Sequence, residues 1–321
     1  MKYHRICLLG GTGFVGQHLA SRLSRLGCHV TILTRRSERH RALKVNRNVR
    51  LVEASVFDCN ALQPHFREAD AVINLVGILN EGRAADLRFA SVHAEFPAMV
   101  ANTAVTTGVR RLLHMSALNA GATDTHSIYL RTKGEGEDSV HAAAAKGLDV
   151  TSFRPSVIFG PGDSFFNRFA ALLRMSPPLF PLACPDSRFA PVYVGDVVSA
   201  FVHALQHDFS VGKRLELCGP EEFTLKQLVE YTRDTLGLCR RIVGLGDGLS
   251  RLQARVLGLV PGKPFSMDNY HSLQHASVCS DNALPTLGIT PATVHTIVPG
   301  YLAAGNTRGR YDGFRRHSRR A

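Results

Sequence analysis

The sequence has no long apolar run, no internal repeat and no pattern of paired cysteines. No window approaches about 18 uninterrupted apolar residues, which excludes a helix that spans a membrane. The first apolar strand pattern begins within about five residues of Met1, so we expect no signal or transit peptide. These absences predict a cytoplasmic protein, and any contact with a membrane is expected only at its periphery.

The cysteines show neither Cys-x-x-Cys spacing nor a pairing with spaced histidines. Their number is odd and they are scattered along the chain: Cys7, Cys28, Cys59, Cys184, Cys218, Cys239 and Cys279. This distribution argues against a zinc site, and nothing in the sequence predicts another metal. We expect all seven cysteines to be reduced and most of them to be buried as small apolar residues.

Acidic residues are fewer than basic ones, 26 against 38, which gives a formal net charge of +12. Six arginines of this excess fall in the last stretch, residues 306–321, which has no apolar periodicity. We therefore interpret residues 304–321 as a disordered basic tail and not as part of a nucleic-acid site. A solvated chain end is one interpretation of this tail, and weak contact with anionic lipid or an acidic partner is the other.

A glycine-rich turn near the chain start carries the clearest signal. An apolar run, residues 6–9, leads into Gly10, Gly13 and Gly16, and a helical pattern begins at once. Glycines between a strand and a helix let a pyrophosphate approach the N–H groups of the helix. The turn therefore predicts a dinucleotide site that includes Thr12, Phe14 and Val15.

Short apolar runs alternate with helical patterns through the first half of the chain, as in an α/β, Rossmann-type doubly wound parallel sheet. We predict strands near 5–9, 28–34, 49–53, 71–76, 110–115 and 149–153, and helices near 14–26, 60–68, 87–107, 129–145 and 164–174. Pro97 is expected to kink the helix that follows the fourth strand or to begin a second helical segment.

From about residue 160, glycines and prolines become frequent and the alternation is lost. We therefore expect an NADP(H)-binding domain over residues 1–160, onto which residues 190–210 pack back. A smaller, irregular substrate lobe is expected over residues 161–303.

The end of the second predicted strand indicates which nicotinamide cofactor binds. A carboxylate there accepts hydrogen bonds from the adenosine ribose of NAD, but this chain has Arg35 and Arg36 instead. Arginine offers charge-assisted hydrogen bonds to a 2′-phosphate, so we predict a preference for NADP(H), with NAD(H) possible. Ser55 and Val56 are expected to approach the adenine, and Asp58 to cap the next helix.

Tyr129 and Lys133 lie one helical turn apart, which places a phenol and an ammonium on one helix face. The ammonium favours the ionised phenol, so the tyrosine can exchange a proton while the lysine also holds the nicotinamide ribose. Ser116 ends the preceding strand, at the sheet edge where substrates bind. These three residues form the predicted catalytic set.

With these motifs, the chain resembles the short-chain dehydrogenase/reductase superfamily, in its extended or atypical, NAD-dependent epimerase/dehydratase-like branch. Within that branch it is similar to the group that contains the NADPH-binding accessory subunit of respiratory complex I and its bacterial relatives. The similarity extends to about Leu302 and rests on these stretches: Gly10–Gly16, Ala71–Gly77, Ser116–Ala120, Tyr129–Glu137, Arg154–Gly160, Pro191–Val197 and Pro264–Asp268.

The resemblance implies a role for each matching position. Tyr129 is the proton donor or acceptor, Lys133 its electrostatic partner, and Ser116 polarises a substrate carbonyl. The cofactor would lie along Leu75, Val76 and Gly77, and its nicotinamide end along the segment that holds Pro155, Val157 and Ile158. His93 stands where many relatives have asparagine.

Two functions remain open from the sequence. The first is an NADPH-dependent oxidoreductase or epimerase-type enzyme that acts on a carbonyl or alcohol. The second is a non-catalytic NADPH-binding accessory subunit of a respiratory, complex I or quinone-linked assembly. No nucleic-acid partner is expected, and the loop-rich lobe leaves the substrate unnamed.

Overall fold

The computed structural model of the chain describes residues 2–82, 84–260 and 264–302. Within these ranges the strands are β1 (Arg5–Leu9), β2 (His29–Thr34), β3 (Val49–Glu53), β4 (Ala71–Asn74), β5 (Arg111–Met115), β6 (Asp149–Pro155), β7 (Ile158–Phe159), β8 (Leu179–Leu182), β9 (Arg188–Phe189), β10 (Val192–Tyr193), β11 (Arg214–Leu217), β12 (Phe223–Thr224) and β13 (Arg241–Gly244).

The α-helices of the same ranges are α1 (Phe14–Arg25), α2 (Cys59–Arg67), α3 (Phe96–Thr107), α4 (Ile128–Ala142), α5 (Phe166–Met175), α6 (Val194–Gln206), α7 (Leu225–Thr235), α8 (Asp247–Leu259), α9 (Met267–Ser272), α10 (Ala283–Thr286) and α11 (Val294–Leu302). Shorter 3₁₀ segments cover Ser37–Val45, Ala85–Leu87, Ala143–Lys146 and Asp208–Ser210, and a π-helix covers Ala90–Glu95. No helix within the described ranges is long and apolar enough to cross a bilayer.

The chain divides into two compact units. Unit 1 comprises Met1–Pro155, Gly195–Leu217 and Ser280–Ile289, and unit 2 comprises Ser156–Val194, Cys218–Cys279 and Thr290–Ala321. Unit 1 contains one seven-stranded sheet in the order β11-β6-β5-β4-β1-β2-β3, and every neighbouring pair in it is parallel. The predicted α/β doubly wound sheet is therefore confirmed.

Unit 1 forms this sheet because its central strands are rich in apolar residues and suit burial on both faces. All five residues of β5 are buried, and so are all four of β4. Helices cover the sheet with apolar side chains such as Phe66 of α2 and Phe96 of α3, both fully buried. This packing fixes the carboxyl ends of the strands, where the candidate site lies.

Unit 2 contains only two-stranded pieces of sheet within its described residues, β10-β7, β12-β9 and β13-β8. Its core is rich in aromatic side chains, among them the buried Phe159, Phe166 and Phe189. Thr224 caps α7 through a capping box with Gln227, and Ser266 caps α9 in the same way with Asn269.

Most predicted elements of unit 1 are present with small shifts of their ends. Asp58 caps α2, as predicted, by accepting a 2.9 Å hydrogen bond from the Asn60 N–H. The predicted helix over 87–107 divides into the π-helix and α3, and Pro97 lies in the first turn of α3. Proline is tolerated there because the first N–H groups of a helix have no partner within it.

The expectation that all cysteines are reduced is wrong for two of them. Cys218 and Cys279 form a disulfide, although 61 residues separate them. Their pairing follows from the fold of unit 2, which brings the start and the end of its segment Cys218–Cys279 together. Cys7 and Cys28 are buried free thiols as expected, but Cys59 and Cys239 are exposed. The predicted basic tail, residues 304–321, lies outside the described residues.

Candidate functional site

The glycine turn between β1 and α1 is closely packed on its inner side. Gly10 has φ +77°, and a Cβ there would lie 2.9 Å from the carbonyl carbon of Leu75. A Cβ on Gly16 would lie 2.3 Å from the Gly10 oxygen and 2.5 Å from the Gly11 Cα. These glycines are required by the fold of the turn itself, because a side chain at either position would meet backbone atoms.

Gly13 differs from these glycines because it faces outward. It is exposed, and a Cβ there would meet only the Gly10 oxygen, at 3.3 Å. Gly13 is also the N-cap of α1 and offers no side-chain acceptor to the first turn of the helix. The N–H groups of Phe14 and Val15 therefore have no acceptor within the helix. Together with the helix dipole, they form a cradle suited to a pyrophosphate.

The segment after β4 is held in place by three hydrogen bonds from its backbone N–H groups. Leu75 donates to the Leu9 carbonyl at 3.0 Å, and Val76 donates to Oδ1 of Asn74 at 3.0 Å. Ile78 donates to Nε2 of His93, also at 3.0 Å. The segment thus lies beside the glycine turn, and its shape depends on two buried polar side chains.

Lys133 and Ser116 meet at the carboxyl end of β5. The Nζ of Lys133 donates a 2.7 Å hydrogen bond to the carbonyl of Met115, the residue before Ser116. Both side chains are buried, and Oγ of Ser116 has no hydrogen-bond partner within the described part of the chain. A buried hydroxyl without a partner is rare, because leaving it unpaired costs about 1–3 kcal/mol. Ser116 is thus available to a ligand oxygen.

Tyr129 lies one turn before Lys133 near the start of α4. The helix begins at Ile128 because the Ser127 hydroxyl accepts a 3.3 Å hydrogen bond from the Leu130 N–H. The Tyr129 ring packs edge-on against His93, with ring centroids 5.2 Å apart. Since a Cβ on Gly77 would lie 3.7 Å from the His93 Nε2 and 3.9 Å from the Lys133 Nζ, the four residues converge.

Burial determines the protonation of the two basic groups in this cluster. It lowers the pKa of Lys133 to about 8, and the Glu137 carboxylate partly opposes this shift. Burial and then the Lys133 charge lower the pKa of His93 to about 3. At neutral pH the cluster therefore contains a lysine that is largely protonated and a neutral histidine.

His93 has a defined tautomer in this setting. Its Nε2 accepts the hydrogen bond from Ile78, so its Nδ1 must carry the proton. That Nδ1 is buried and has no partner among the described residues. The ring is also stacked on Phe89, with centroids 5.4 Å apart. His93 therefore joins the segment after β4 to helix α4.

Two glycines in α4 bring this helix close to its neighbours. A Cβ on Gly134 would lie 2.3 Å from the Gly121 Cα, and a Cβ on Gly136 would lie 1.8 Å from the His93 carbonyl oxygen. Glycine in a helix interior costs about 1 kcal/mol relative to alanine. The close approach to the π-helix and to the loop after β5 explains why both glycines are present.

The next residue of α4 that faces inward carries a buried charge. Glu137 is fully buried and binds the Arg154 guanidinium through contacts of 2.7–3.1 Å. Arg214 lies 3.9 Å from the same carboxylate. This ion pair anchors α4 to β6 and so fixes the helix that carries Tyr129 and Lys133.

The predicted adenosine end of the site contains exposed arginines. Arg35 and Arg36 follow β2 and both are exposed. The Arg35 guanidinium lies 3.4 Å from Asp86, whereas the Arg36 guanidinium has no ion pair among the described residues. Ser55 is exposed, but Val56 is buried in the core of unit 1.

The residues predicted to line the nicotinamide end do not all belong to one unit. Pro155 is the last residue of β6 in unit 1 and is buried, whereas Val157 and Ile158 belong to unit 2. Within unit 1 the structure therefore brings together Gly77, Ser116, Tyr129 and Lys133. The buried Asn74 and the two α4 glycines were not assigned a role from the sequence, although the Ala71–Gly77 motif contains Asn74.

Comparison with known proteins agrees with this geometry. Residues 6–218 match the model of the NAD dependent epimerase/dehydratase family. The chain is 30% identical over 292 residues to the mitochondrial NADH dehydrogenase (ubiquinone) 1 alpha subcomplex subunit 9 of Arabidopsis thaliana, and the match covers 86% of this chain and 71% of the relative. It is 31% identical over 243 residues to a ceramide reductase of Caulobacter vibrioides, and that match covers 75% of this chain and 74% of the relative.

A solved structure shows the same fold. The crystal structure of dTDP-glucose 4,6-dehydratase from Streptomyces venezuelae with NAD bound has a TM-score of 0.72 and 19% sequence identity. The superposition covers 94% of this chain and 97% of that chain. The family model, the relatives and the glycine turn agree, and the chain belongs to the NAD-dependent epimerase/dehydratase family.

Proposed function

We propose that this chain is an NADP(H)-dependent oxidoreductase that interconverts a carbonyl and an alcohol, with Tyr129 as the proton donor or acceptor. One observation carries the proposal. The buried Lys133 lies one helical turn after Tyr129 and donates a hydrogen bond to the Met115 carbonyl, next to Ser116. The Ser116 hydroxyl itself has no hydrogen-bond partner within the described residues. Structural side chains rarely leave a buried hydroxyl unpaired, whereas a catalytic hydroxyl needs that freedom.

The residues present fit a dinucleotide. The outward face of Gly13, the N–H groups of α1 and the small residue Gly77 leave room for a pyrophosphate and a ribose, and the Lys133 ammonium would hold the ribose hydroxyls. When bound, the reduced cofactor supplies a hydride. The chain's own groups then handle the oxygen and the proton of the substrate.

Each of the three side chains has a distinct task in this proposal. Ser116 donates a hydrogen bond to the substrate oxygen and polarises the carbonyl. Tyr129 passes its phenolic proton to that oxygen as negative charge develops there. Lys133, which is largely protonated at neutral pH, favours the phenolate that remains. In the reverse direction the same groups remove the proton from an alcohol.

A preference for NADP(H) is supported by the two arginines after β2. They are exposed, no carboxylate follows this strand before Glu38, and the guanidinium of Arg36 has no ion pair among the described residues. A charge-assisted hydrogen bond is worth about 1.5–3 kcal/mol. NADPH should therefore bind more tightly than NADH by about tenfold for each arginine that reaches the 2′-phosphate.

The test of cofactor selectivity is a fluorescence titration with NADPH and NADH. Changing Arg35→Ala and Arg36→Ala together should weaken NADPH far more than NADH. Arg50→Ala is the matched control, because Arg50 is an exposed arginine on the neighbouring strand β3. Equal weakening of both cofactors, or tighter binding of NADH by the unchanged protein, would contradict the proposal.

The test of catalysis uses a panel of carbonyl compounds and the oxidation of NADPH. Tyr129→Phe should lower the rate by about 10²- to 10⁴-fold and leave NADPH affinity nearly unchanged. Lys133→Ala should lower both the rate and the affinity. Tyr231→Phe, a change at a half-buried tyrosine of unit 2, should affect neither. Full activity of Tyr129→Phe on an identified substrate would refute the assignment of Tyr129.

The second candidate is an accessory subunit that binds NADPH without turnover in a respiratory or quinone-linked assembly. Its support is the similarity to the subunit of mitochondrial NADH dehydrogenase. In that case NADPH should raise the Tm of the protein by mass action, and no carbonyl in the panel should oxidise it. Turnover that depends on Tyr129 would exclude this candidate.

A further inference from the structure

Helix α8 of unit 2 directs its small residues inward and its large aliphatic residues toward solvent. Ser250 and Ala254 are its buried residues, and the Ser250 hydroxyl accepts a 3.1 Å hydrogen bond from the Cys184 N–H. A helix that packs on a core normally buries its leucines. Here four large aliphatic side chains are between 54% and 88% exposed: Leu249, Leu252, Val256 and Leu259.

These four side chains form one stripe, the exposed α8 face. Their spacings of three, four and three residues place them on the same side of the helix, opposite Ser250 and Ala254. The stripe is about 15 Å long, given a rise of 1.5 Å per residue. Val260, next to its end, is also exposed. Scattered exposed leucines are common on protein surfaces, but a continuous stripe indicates a contact surface.

The charge that α8 itself presents beside this face is positive. Asp247 is the one acidic residue of α8, and it is paired with Arg251 at 3.0 Å. The exposed Arg255 has no ion pair among the described residues. An occupant of this face must therefore be apolar at its centre and negatively charged beside it.

A negatively charged bilayer surface meets both requirements. The acyl boundary accepts leucines from a helix that lies in the interface plane, and anionic headgroups attract the flanking arginines. Protein interfaces, in contrast, are enriched in aromatic anchors, and this stripe has only leucine and valine. The chain's own last stretch, residues 306–321, contains six arginines and would place like charges together.

We propose that the exposed α8 face docks this protein on a membrane surface that contains anionic lipid. Leu252 and Leu259 enter the acyl boundary, and Arg255 pairs with headgroup phosphate. The docking depends on unit 2 alone and does not require the proposed reaction, so it can be tested without a substrate.

The experiment is co-sedimentation of the full chain with vesicles of equimolar phosphatidylglycerol and phosphatidylcholine, and with vesicles of phosphatidylcholine alone. The unchanged protein should bind the mixed vesicles at least about tenfold more strongly than the neutral ones. Leu252→Gln together with Leu259→Gln should lower this binding at least about tenfold. Folding should be retained, because both side chains are already exposed.

Three control variants separate binding through the exposed α8 face from binding through another part of the chain. Val45→Gln changes an equally exposed aliphatic residue of unit 1 and should leave vesicle binding unchanged. Arg255→Gln should reduce the preference for phosphatidylglycerol. A third variant, in which Arg315, Arg316, Arg319 and Arg320 are changed to Gln, tests the basic chain end. If this variant loses vesicle binding while the leucine variant binds as strongly as the unchanged protein, the proposal is wrong.

A protein occupant would give a different result. In one such result, sedimentation velocity shows dimers of the unchanged protein and monomers of the leucine variant, and neither protein binds vesicles. The exposed α8 face would then be an interface between two copies of the chain. That outcome would overturn the proposal. Binding to vesicles that the leucine variant loses, with both proteins monomeric in solution, would support it.

Discussion

Unit 1 is organised by one continuous parallel sheet, whereas unit 2 is organised by aromatic packing and by contacts between residues far apart in the sequence. In unit 1 the backbone ladder places Ser116 and the segment after β4 at one edge. In unit 2, hydrogen bonds from side chains hold loops in place. The Ser156 hydroxyl donates a 2.7 Å hydrogen bond to the Ser277 carbonyl, and the Ser187 hydroxyl donates a 2.8 Å hydrogen bond to the Leu273 carbonyl. A repeated backbone pattern therefore positions the candidate site in unit 1, while side-chain contacts hold the loops of unit 2.

The largest expected effect comes from two neighbouring glycines of unit 1. Gly16→Val should unfold the unit, because its Cβ would meet backbone atoms at 2.3 Å, and a cost above about 4 kcal/mol is expected. Gly13→Val should fold, since its nearest contact is 3.3 Å, but should lose NADPH binding because the side chain fills the phosphate cradle.

Urea unfolding and NADPH titration of both glycine variants measure this contrast. If Gly13→Val bound NADPH with unchanged affinity, the phosphate site would not lie at residues 10–16. If Gly16→Val were as stable as the unchanged protein, the close packing of the turn would be refuted.

The next effect concerns unit 2 and its disulfide. Cys279→Ser should destabilise unit 2 by about 2–5 kcal/mol, because the bond closes a long loop in the unfolded chain. Cys239→Ser, a change at an exposed free thiol, is the control. Thermal unfolding with and without a reductant checks the prediction, and hydrogen exchange should place the loss within residues 218–279. An unchanged Tm after reduction would show that side-chain packing alone holds the unit.

A smaller effect is expected at a buried carboxylate of unit 2. Tyr301 donates a 2.5 Å hydrogen bond to the buried Asp163, and burial raises the pKa of Tyr301, so the phenol remains a donor. Tyr301→Phe should cost about 1.5–3 kcal/mol, the usual value of a hydrogen bond to a charged group. Denaturant unfolding measures it, and equal stability of the two proteins would show that the Gly160 and Asn167 N–H groups suffice for Asp163.

The effect that is smallest near neutral pH is a pH dependence of stability that belongs to unit 1. In the unfolded chain His93 takes up a proton near its ordinary pKa of 6.5, but in the folded chain only near 3. As pH falls below 6.5 the unfolded state binds more protons, so stability decreases by about 1.4 kcal/mol per pH unit. His93→Asn should lower the slope by about this amount, while buried histidines such as His114, whose pKa burial also lowers, keep their own contributions. Urea titrations of both proteins from pH 7 to about pH 4 would show the difference. The same slope in both proteins would mean that His93 is accessible to protons.

The sheet of unit 1 was predictable because short segments rich in apolar residues alternate with helical patterns in this part of the chain. Residues 5–9 and 49–53 form strands with the predicted bounds. The strand predicted over 71–76 ends at Asn74 instead, because the Asn74 side chain accepts the hydrogen bond of the Val76 N–H. The pattern of apolar residues cannot predict that a side chain, and not the neighbouring strand, accepts a backbone hydrogen bond.

The candidate site was predictable where a motif sets the spacing and not where distant segments meet. Tyr129, Lys133 and Ser116 follow from helix and strand positions. The hydrogen bond between the Ile78 N–H and His93 could not be predicted, because His93 lies in a π-helix and a π-helix has no periodic pattern in the sequence. In unit 2, the pairing of Cys218 with Cys279 cannot be deduced from spacing, because it depends on how the intervening chain folds.

The glycines of α4 have a consequence for anyone who wishes to make this protein more heat-resistant. A common strategy replaces glycines inside helices with alanine, which usually gains up to about 1 kcal/mol. At Gly134 and Gly136 the added methyl group would collide with backbone atoms at 2.3 Å and 1.8 Å. Such a substitution would push the helix of Tyr129 and Lys133 away from His93, and a library built on helix propensity should leave both positions unchanged.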